Sequence, residues 1–124
     1  MKKILVLLFS IPFLGIAQNI VCFTIDPNPN SNDPALAPFT KYVDVLGCFS
    51  IYAESTISDA KVLHVAAVAA ELLDNNEDGI VDDPLIETQL SNENALIPIF
   101  SSEGSSAENI FFNNLMSIEN GVSA

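Results

Sequence analysis

The stretch LLDNNEDGIVDDPL, residues 72–85, joins two predicted helices and decides how the second half of the chain is arranged. An apolar run ends at Leu73, and a cluster of acidic residues follows around the single glycine Gly79. Carboxylates held this close repel one another unless something positive lies among them. The stretch is therefore either a cation-binding loop or a solvated turn in which Gly79 adopts the left-handed conformation. The acidic residues are Asp74, Glu77, Asp78, Asp82 and Asp83.

The spacing of oxygen-bearing residues in this loop follows the rule for an EF-hand calcium loop. That loop takes ligands from positions 1, 3, 5, 7 and 9, has glycine at position 6, and uses a backbone carbonyl at position 7. Val81 stands at position 8, where an apolar side chain can anchor the loop in the core. Position 12 should be a bidentate glutamate and is Leu85, so the nearest substitutes are Asp83 and Glu87. From position 1, the matching residues are Asp74, Asn76, Asp78, Gly79, Ile80 and Asp82.

Residues 74–83 resemble the shorter DxNxDGxxD loops of dockerin and thrombospondin-type repeats, which are EF-hand-like. The resemblance implies calcium as the cofactor, and the missing glutamate implies weak binding, roughly 0.1–1 mM as in extracellular modules. A single loop of this kind implies a structural clip rather than a sensor. Residues 58–86 also resemble a segment of uncharacterised secreted proteins, in which a Leu-His-Ala-Ala helix runs into an acidic loop, and this implies no particular activity. The implied metal ligands are Asp74, Asn76, Asp78, the carbonyl of Ile80, and Asp82.

The N-terminal sequence MKKILVLLFSIPFLGIAQ has the pattern of a bacterial secretory signal peptide. Two lysines precede an apolar run, and Gly15-Ile16-Ala17 supplies the small residues of a cleavage site. We therefore expect cleavage after Ala17 and a secreted or periplasmic product. The apolar run is too short to span a membrane comfortably, which argues against a membrane anchor. No second candidate span follows, so no membrane contact is expected after cleavage. Lipid attachment to Cys22 would need a small residue just before it. Val21 stands there, so we do not expect a lipoprotein.

The charge balance excludes some partners. The full chain has a net charge of −12, and loss of Lys2 and Lys3 leaves 16 acidic residues against Lys41 and Lys61, a net charge of −14. Such a surface repels nucleic acid and anionic lipid and attracts cations. The apolar content of 49% is nevertheless that of a folded chain rather than a disordered one. A calcium ion is thus the one partner predicted, and no protein or glycan partner is specified.

Cys22 and Cys48 are the two cysteines of the chain. In an exported protein, a pair of this kind predicts a disulfide. Closing such a loop stabilises the folded state by roughly 3 kcal/mol, because it restricts the unfolded chain. The alternative is two free thiols that pack as small apolar side chains.

The first half of the chain is divided into a signal peptide (1–17), a Pro/Asn-rich arm (18–41) and the start of an α/β domain (42–124). Residues 26–38 contain four prolines, too many for a helix or an inner strand. YVDVLGCFSIY, residues 42–52, predicts a strand broken at Gly47. Ser58 is a suitable N-cap for the helix that follows. This helix is apolar except for one narrow face, which holds Lys61, His64, Val68 and Glu71.

The second half predicts two helices and a strand. Asp83-Pro84 begins a helix over 84–91, and ALIPIF, residues 95–100, predicts a strand that Pro98 confines to an edge. Ser105 or Ser106 caps a last helix that stops at Asn120-Gly121. The order strand, helix, loop, helix, strand, helix predicts a crossover and an α/β or α+β fold. Two strands do not make a stable sheet, so we expect an incomplete domain. The apolar face of the last helix comprises Ala107, Ile110, Phe111, Leu115 and Ile118.

No catalytic motif is present. His64 is the only histidine, and the sequence has no HExxH zinc motif, no GxSxG elbow and no GxGxxG loop. His64 is therefore interpreted as a partly exposed helix residue, and no catalytic residue is predicted. Two function classes stay open: a secreted calcium-stabilised structural or binding module, or the N-terminal part of an extracellular hydrolase whose catalytic residues lie beyond Ala124.

Overall fold

A computed structural model describes residues 22–119, with side chains described up to residue 115. The predicted signal peptide and the predicted helix stop at Asn120-Gly121 lie outside these residues. Within the described part of the chain, no helix has both the length and the apolar character needed to cross a bilayer.

The described residues have an α+β fold, with a four-stranded mixed sheet and three helices, which confirms the predicted fold class. The strand order is β1-β2-β3-β4; the first three strands are antiparallel, and β4 runs parallel to β3. The elements are β1 (Asp26–Pro27), β2 (Lys41–Val45), β3 (Phe49–Ala53), α1 (Asp59–Leu73), α2 (Pro84–Asn92), β4 (Leu96–Ile99) and α3 (Ser106–Glu119).

Residues 42–52 form a hairpin, so the prediction of one interrupted strand was wrong. Leu46 and Gly47 have φ angles of 54° and 67°. Positive φ at both central residues is what a type I′ turn requires, and such a turn reverses the chain tightly. The Cys48 N–H donates to the Val45 carbonyl at 3.0 Å, and Phe49 then pairs with Val45. Gly47 therefore marks a turn between two strands rather than a bulge within one.

One face of the hairpin packs under α1. Val43 pairs with Ile51 across the hairpin, and both are fully buried. The strand alternation places Val45 and Ala53 on the same face, because successive side chains point to opposite sides of a sheet. The side chains that α1 contributes to this core are small, which brings the helix close to the sheet. They are Val62, Ala66, Ala69 and Ala70.

The other face of the sheet carries an aromatic cluster. Phe39 is 1% exposed, and its ring centroid lies 6.2 Å from that of Tyr52 and 5.9 Å from that of Phe111. Ala35 and Leu36 are buried in the same cluster. Residues 26–38, predicted as a loop or extended arm, thus begin with β1 and continue as turns that pack on the sheet. The side-chain N–H of Asn28 holds these turns by donating to the carbonyls of Leu36 and Phe39, at 2.8 and 2.9 Å.

Helix α1 begins as predicted, after the N-cap Ser58, whose side chain accepts from the backbone N–H of Lys61. The predicted polar face of α1 (Lys61, His64, Val68 and Glu71) is exposed. The exposed surface is wider than predicted, because Ala60 and Leu72 are exposed as well.

The segment from β3 to β4 is the predicted crossover. Asp83 caps α2, and Pro84 is its first residue. β4 lies at the edge of the sheet, where Pro98 is tolerated because the outer side of an edge strand needs no ladder hydrogen bond. In α3, Ala107 and Phe111 are buried and Leu115 is half-buried, but Ile110 is 39% exposed and does not belong to the buried face. Ile118 lies beyond the described side chains.

Phe39 provides a test of how the turns at residues 26–39 contribute to stability. We expect Phe39→Ala to lower the free energy of unfolding by about 3–5 kcal/mol, because it empties a buried aromatic site. Phe112→Ala is the matched control, since Phe112 is 47% exposed. We expect Phe112→Ala to lower the free energy of unfolding by less than half as much as Phe39→Ala does. Urea unfolding of both variants measures the difference, and equal losses would contradict this account of the core.

Candidate metal-binding loop

The acidic loop, residues 74–83, begins where α1 ends. Asp74 is the C-cap of α1, and its backbone N–H donates to the Ala70 carbonyl at 2.8 Å. Its side chain is 3% exposed and is the only charged side chain that is buried among residues 22–115. A carboxylate at a helix C-terminus faces the negative end of the helix dipole. Burial of Asp74 there requires compensating partners.

The loop backbone supplies these partners. The Asp74 carboxylate accepts from the N–H of Asp78 through Oδ1, at 3.2 Å, and from the N–H of Gly79 through Oδ2, at 2.7 Å. Glu77 and Gly79 have positive φ angles of 59° and 84°, which turn the chain back towards Asp74. Hydrogen bonds to an ionised acceptor are stronger than neutral ones, so Asp74 organises the loop around itself.

The next two predicted ligands also bind the loop backbone. Asn76 Oδ1 accepts from the Asp78 N–H at 3.0 Å, and Asp78 Oδ1 accepts from the Ile80 N–H at 2.9 Å. Both are Asx-turns, in which a side chain takes the place of a backbone acceptor two residues before the donor. Asp74 Oδ1 and Asn76 Oδ1 therefore share one donor, and two predicted ligand oxygens lie side by side.

Asp82 closes the loop on the opposite side. Its Oδ2 accepts from the backbone N–H of Asn75 at 2.8 Å and from the Asn75 side chain at 3.1 Å. Its own N–H donates to the Leu73 carbonyl at 2.8 Å. The two ends of the loop are thus tied together. Sequence reasoning did not identify Asn75, because no feature of the calcium-loop pattern marks position 2.

The end of the loop connects to the core and to α2. Val81 is 5% exposed, as predicted for the position that anchors the loop, whereas the Ile80 side chain is 66% exposed. Leu85 is 80% exposed and has no ligand atom in its side chain. Asp83 accepts from the Leu85 N–H at 2.9 Å as the α2 cap, so this substitute for the missing glutamate already has a structural role.

The predicted ligands share one loop but do not form a ready metal cage. Each of the four predicted side-chain ligands accepts from a loop N–H. Across the described residues, no three His, Cys, Asp or Glu side chains converge closely enough to hold a metal. The structure shows the loop closed on its own hydrogen bonds, and calcium binding stays a prediction.

Neither lysine of the described residues, Lys41 or Lys61, neutralises the loop. Lys41 pairs with Asp59 at 2.7 Å and donates to the Ile57 carbonyl, at the far end of α1. Lys61 lies in the first turn of α1, about 20 Å from Asp74 at the rise of an α-helix. That distance exceeds the screening length at physiological salt. Within residues 22–115, no lysine therefore supplies a counter-charge for the loop.

Cys22 and Cys48 are free thiols in the structure, so the predicted disulfide is not formed in it. Cys22 is exposed, whereas Cys48 is buried with its Sγ 4.0 Å from the Glu87 carbonyl of α2. Burial raises the pKa of the Cys48 thiol, and the negative charges of Glu87 and Asp44 raise it further. Each of these effects disfavours the thiolate.

Comparisons with known protein families, with curated proteins and with solved structures give no match. The EF-hand-like interpretation therefore rests on the spacing and hydrogen bonds of the acidic loop alone.

Thiol labelling tests the state of the cysteines. We expect a maleimide to label Cys22 rapidly in the folded, unreduced protein. Cys48 should react only after unfolding, because its thiol is buried and its raised pKa leaves little thiolate at neutral pH. Mass spectrometry counts the labels. If neither cysteine is labelled in the unfolded, unreduced protein, the two are bridged and the free-thiol state is wrong.

Asp74 should hold the loop together even without metal. In the presence of a chelator, we expect Asp74→Ala to lower the free energy of unfolding by about 3 kcal/mol, because two N–H groups lose a charged acceptor. Glu77→Ala is the control in the same loop, since Glu77 is exposed and retains the same backbone strain. Its effect should stay within about 0.5 kcal/mol. Equal effects would contradict the structural role of Asp74.

Proposed function

We propose that this chain is an exported protein whose acidic loop binds one calcium ion, and that the ion acts as a structural clip between α1 and α2. The observation that carries the proposal is the pair of oxygens Asp74 Oδ1 and Asn76 Oδ1, which share the Asp78 N–H. The same loop carries the carboxylates of Asp78 and Asp82, and neither lysine of the described residues pairs with it.

The hydrogen bonds of the loop leave room for a metal. An ionised carboxylate offers about four lone-pair directions, and the carboxylates of Asp78 and Asp82 each use one oxygen for loop N–H groups. Calcium accepts six to eight oxygens at flexible geometry, whereas magnesium demands a near-ideal octahedron. A loop that offers oxygens at irregular positions therefore favours calcium. Calcium binding would require Asp78 and Asp82 to rotate, so that their free oxygens join those of Asp74 and Asn76.

Helix α2 is the element that such a clip would stabilise. None of its side chains is buried, and the hydrogen bonds that join it to the hairpin are polar contacts. Ser91 Oγ donates to the Gly47 carbonyl at 3.2 Å, and Cys48 lies against the Glu87 carbonyl. Because apolar burial holds α2 only weakly, its orientation depends on the acidic loop. An ion bound between Asp74 and Asp82 would fix the end of α1 relative to the start of α2.

The proposed compartment matches the proposed affinity. The N-terminal sequence has the order of a signal peptide: two lysines, an apolar run and a small-residue cleavage site. Extracellular calcium modules bind in the range of roughly 0.1–1 mM, and the absence of a glutamate at position 12 favours such weak binding. An exported protein meets enough calcium to fill a site of this kind.

Thermal unfolding in chelator and in about 10 mM calcium tests the proposal. If Kd is roughly 0.1–1 mM, calcium at this concentration stabilises the folded state by about 1.4–2.7 kcal/mol. The melting temperature of a domain of this size should then rise by several degrees. Sodium and magnesium chloride at matched ionic strength control for screening of the negative surface. If magnesium or sodium raises the melting temperature as much as calcium does, no specific site exists.

Two matched variants locate the site. Asp78→Asn keeps an oxygen for the Ile80 N–H and removes one charge, so we expect it to lose most of the calcium-dependent rise. Glu77→Gln removes one charge from the adjacent residue, which is not a predicted ligand, and should keep the rise. Equal responses of the two variants would show that calcium only screens the loop.

A further inference from the structure

A pocket of about 480 Å³ lies between the first turns of α1 and the end of β4. Its lining is mainly apolar, and two polar side chains from the exposed face of α1 complete it. We call it the Lys61–His64 pocket. The apolar residues are Ile57, Ala60, Val65, Ile99 and Phe100, and Ser101 lines the pocket beside Lys61 and His64.

The pocket lies at the carboxyl ends of β3 and β4, which are the one parallel pair in the described sheet. Ile57 belongs to the segment that follows β3, and Phe100 follows β4 directly. In open sheets, ligands bind outside the carboxyl ends of parallel strands, where the connections leave a crevice. The location is therefore a usual one for a small-molecule site and is built from separate parts of the chain.

The pocket carries positive charge, whereas the protein as a whole has a net charge of −12. Lys41 and Lys61 are the lysines of the described residues, and Lys41 is paired with Asp59. Within residues 22–119, Lys61 Nζ and the His64 ring have no hydrogen bond or ion pair. The one unpaired ammonium and the one imidazole of this region thus line the same pocket. In a chain with 16 acidic residues, this concentrates the unpaired positive charge of the described residues in one pocket.

The acidic side chains on the adjoining segments are already engaged. Glu54, which follows β3, accepts from the backbone N–H of Ser101. Asp59, in the first turn of α1, is paired with Lys41. Neither carboxylate forms an ion pair with Lys61, so its ammonium stays available to an anion from solution.

We propose that the Lys61–His64 pocket binds a small organic carboxylate with an apolar tail. The Lys61 ammonium and an N–H of His64 donate to the carboxylate at the mouth of the pocket, and the tail covers Ile57, Val65 and Ile99. Pockets for small molecules typically enclose about 300–1,000 Å³ and combine apolar walls with a few polar groups. The negative surface of the protein repels small anions that lack a tail. Both the carboxylate and the apolar tail of the ligand are therefore needed. The pocket contains no residue of the acidic loop, so this proposal does not depend on calcium binding.

Calorimetry with octanoate below its micelle concentration tests the proposal. Acetate carries the carboxylate alone, and 1-octanol carries the tail alone. We expect octanoate to bind at one site per chain and both partial ligands to bind at least about tenfold more weakly, as the loss of a charged hydrogen bond or of apolar contact implies. If octanoate shows no saturable binding, or if 1-octanol binds as tightly as octanoate, the proposal is wrong.

Variants of α1 separate this pocket from non-specific adsorption. Lys61→Gln removes the charge, and Ala60→Trp fills the pocket, which Ala60 also lines. Both residues are exposed, so neither change removes a buried contact, and circular dichroism checks the fold. We expect each variant to weaken octanoate binding about tenfold or more, whereas Lys61→Arg retains it. Glu71→Gln, on the same exposed face but away from the pocket, should leave affinity unchanged, and equal affinity in Lys61→Gln would overturn the proposal.

Discussion

The packing of α1 on the β2–β3 hairpin is the interaction on which the rest of the structure depends. Ala66, Ala69 and Ala70 present small side chains to Val43 and Ile51, so the helix approaches the sheet closely. Burial of these apolar groups is the main favourable term in holding the two elements together. Because α1 is the first part of the crossover from β3 to β4, its position also determines where β4 joins the sheet. Both candidate sites lie at the ends of this one helix.

The sequence predicted those parts of the fold that depend on local chemistry. Ser58 and Asp83-Pro84 mark helix starts because capping needs particular atoms at one position. Pro98 indicates an edge strand because a missing N–H is tolerated only there. The hairpin was missed because a type I′ turn usually has Asn or Gly at both central positions, whereas here Leu46 occupies the first. The burial of Phe39 was missed because proline content describes the backbone and not what the side chains pack against.

In the candidate sites too, the sequence indicated the features that depend on neighbouring residues and missed those that depend on distant ones. The spacing of Asp74, Asn76 and Asp78 identified residues that bend back onto the loop, because Asx-turns depend only on near neighbours. The hydrogen bonds between Asn75 and Asp82 join the two ends of the loop, and the calcium-loop spacing did not indicate them. His64 was predicted as a partly exposed helix residue, and it is exposed. Its place in a pocket depends on residues 99–101, which only the parallel pairing of β4 brings alongside α1.

The dipole of α1 favours the charge proposed for each of its ends. A helix of this length carries about half a positive charge at its N-terminus and half a negative charge at its C-terminus. The Lys61–His64 pocket lies by the N-terminal turns, where the dipole adds to the attraction that Lys61 exerts on an anion. The acidic loop lies at the C-terminus, where the dipole opposes the buried carboxylate of Asp74 and favours a cation. Without a cation, the N–H groups of Asp78 and Gly79 are the hydrogen-bond donors that compensate the burial of the Asp74 carboxylate. Calcium would therefore relieve two repulsions at once, one among the carboxylates and one between Asp74 and the end of its own helix.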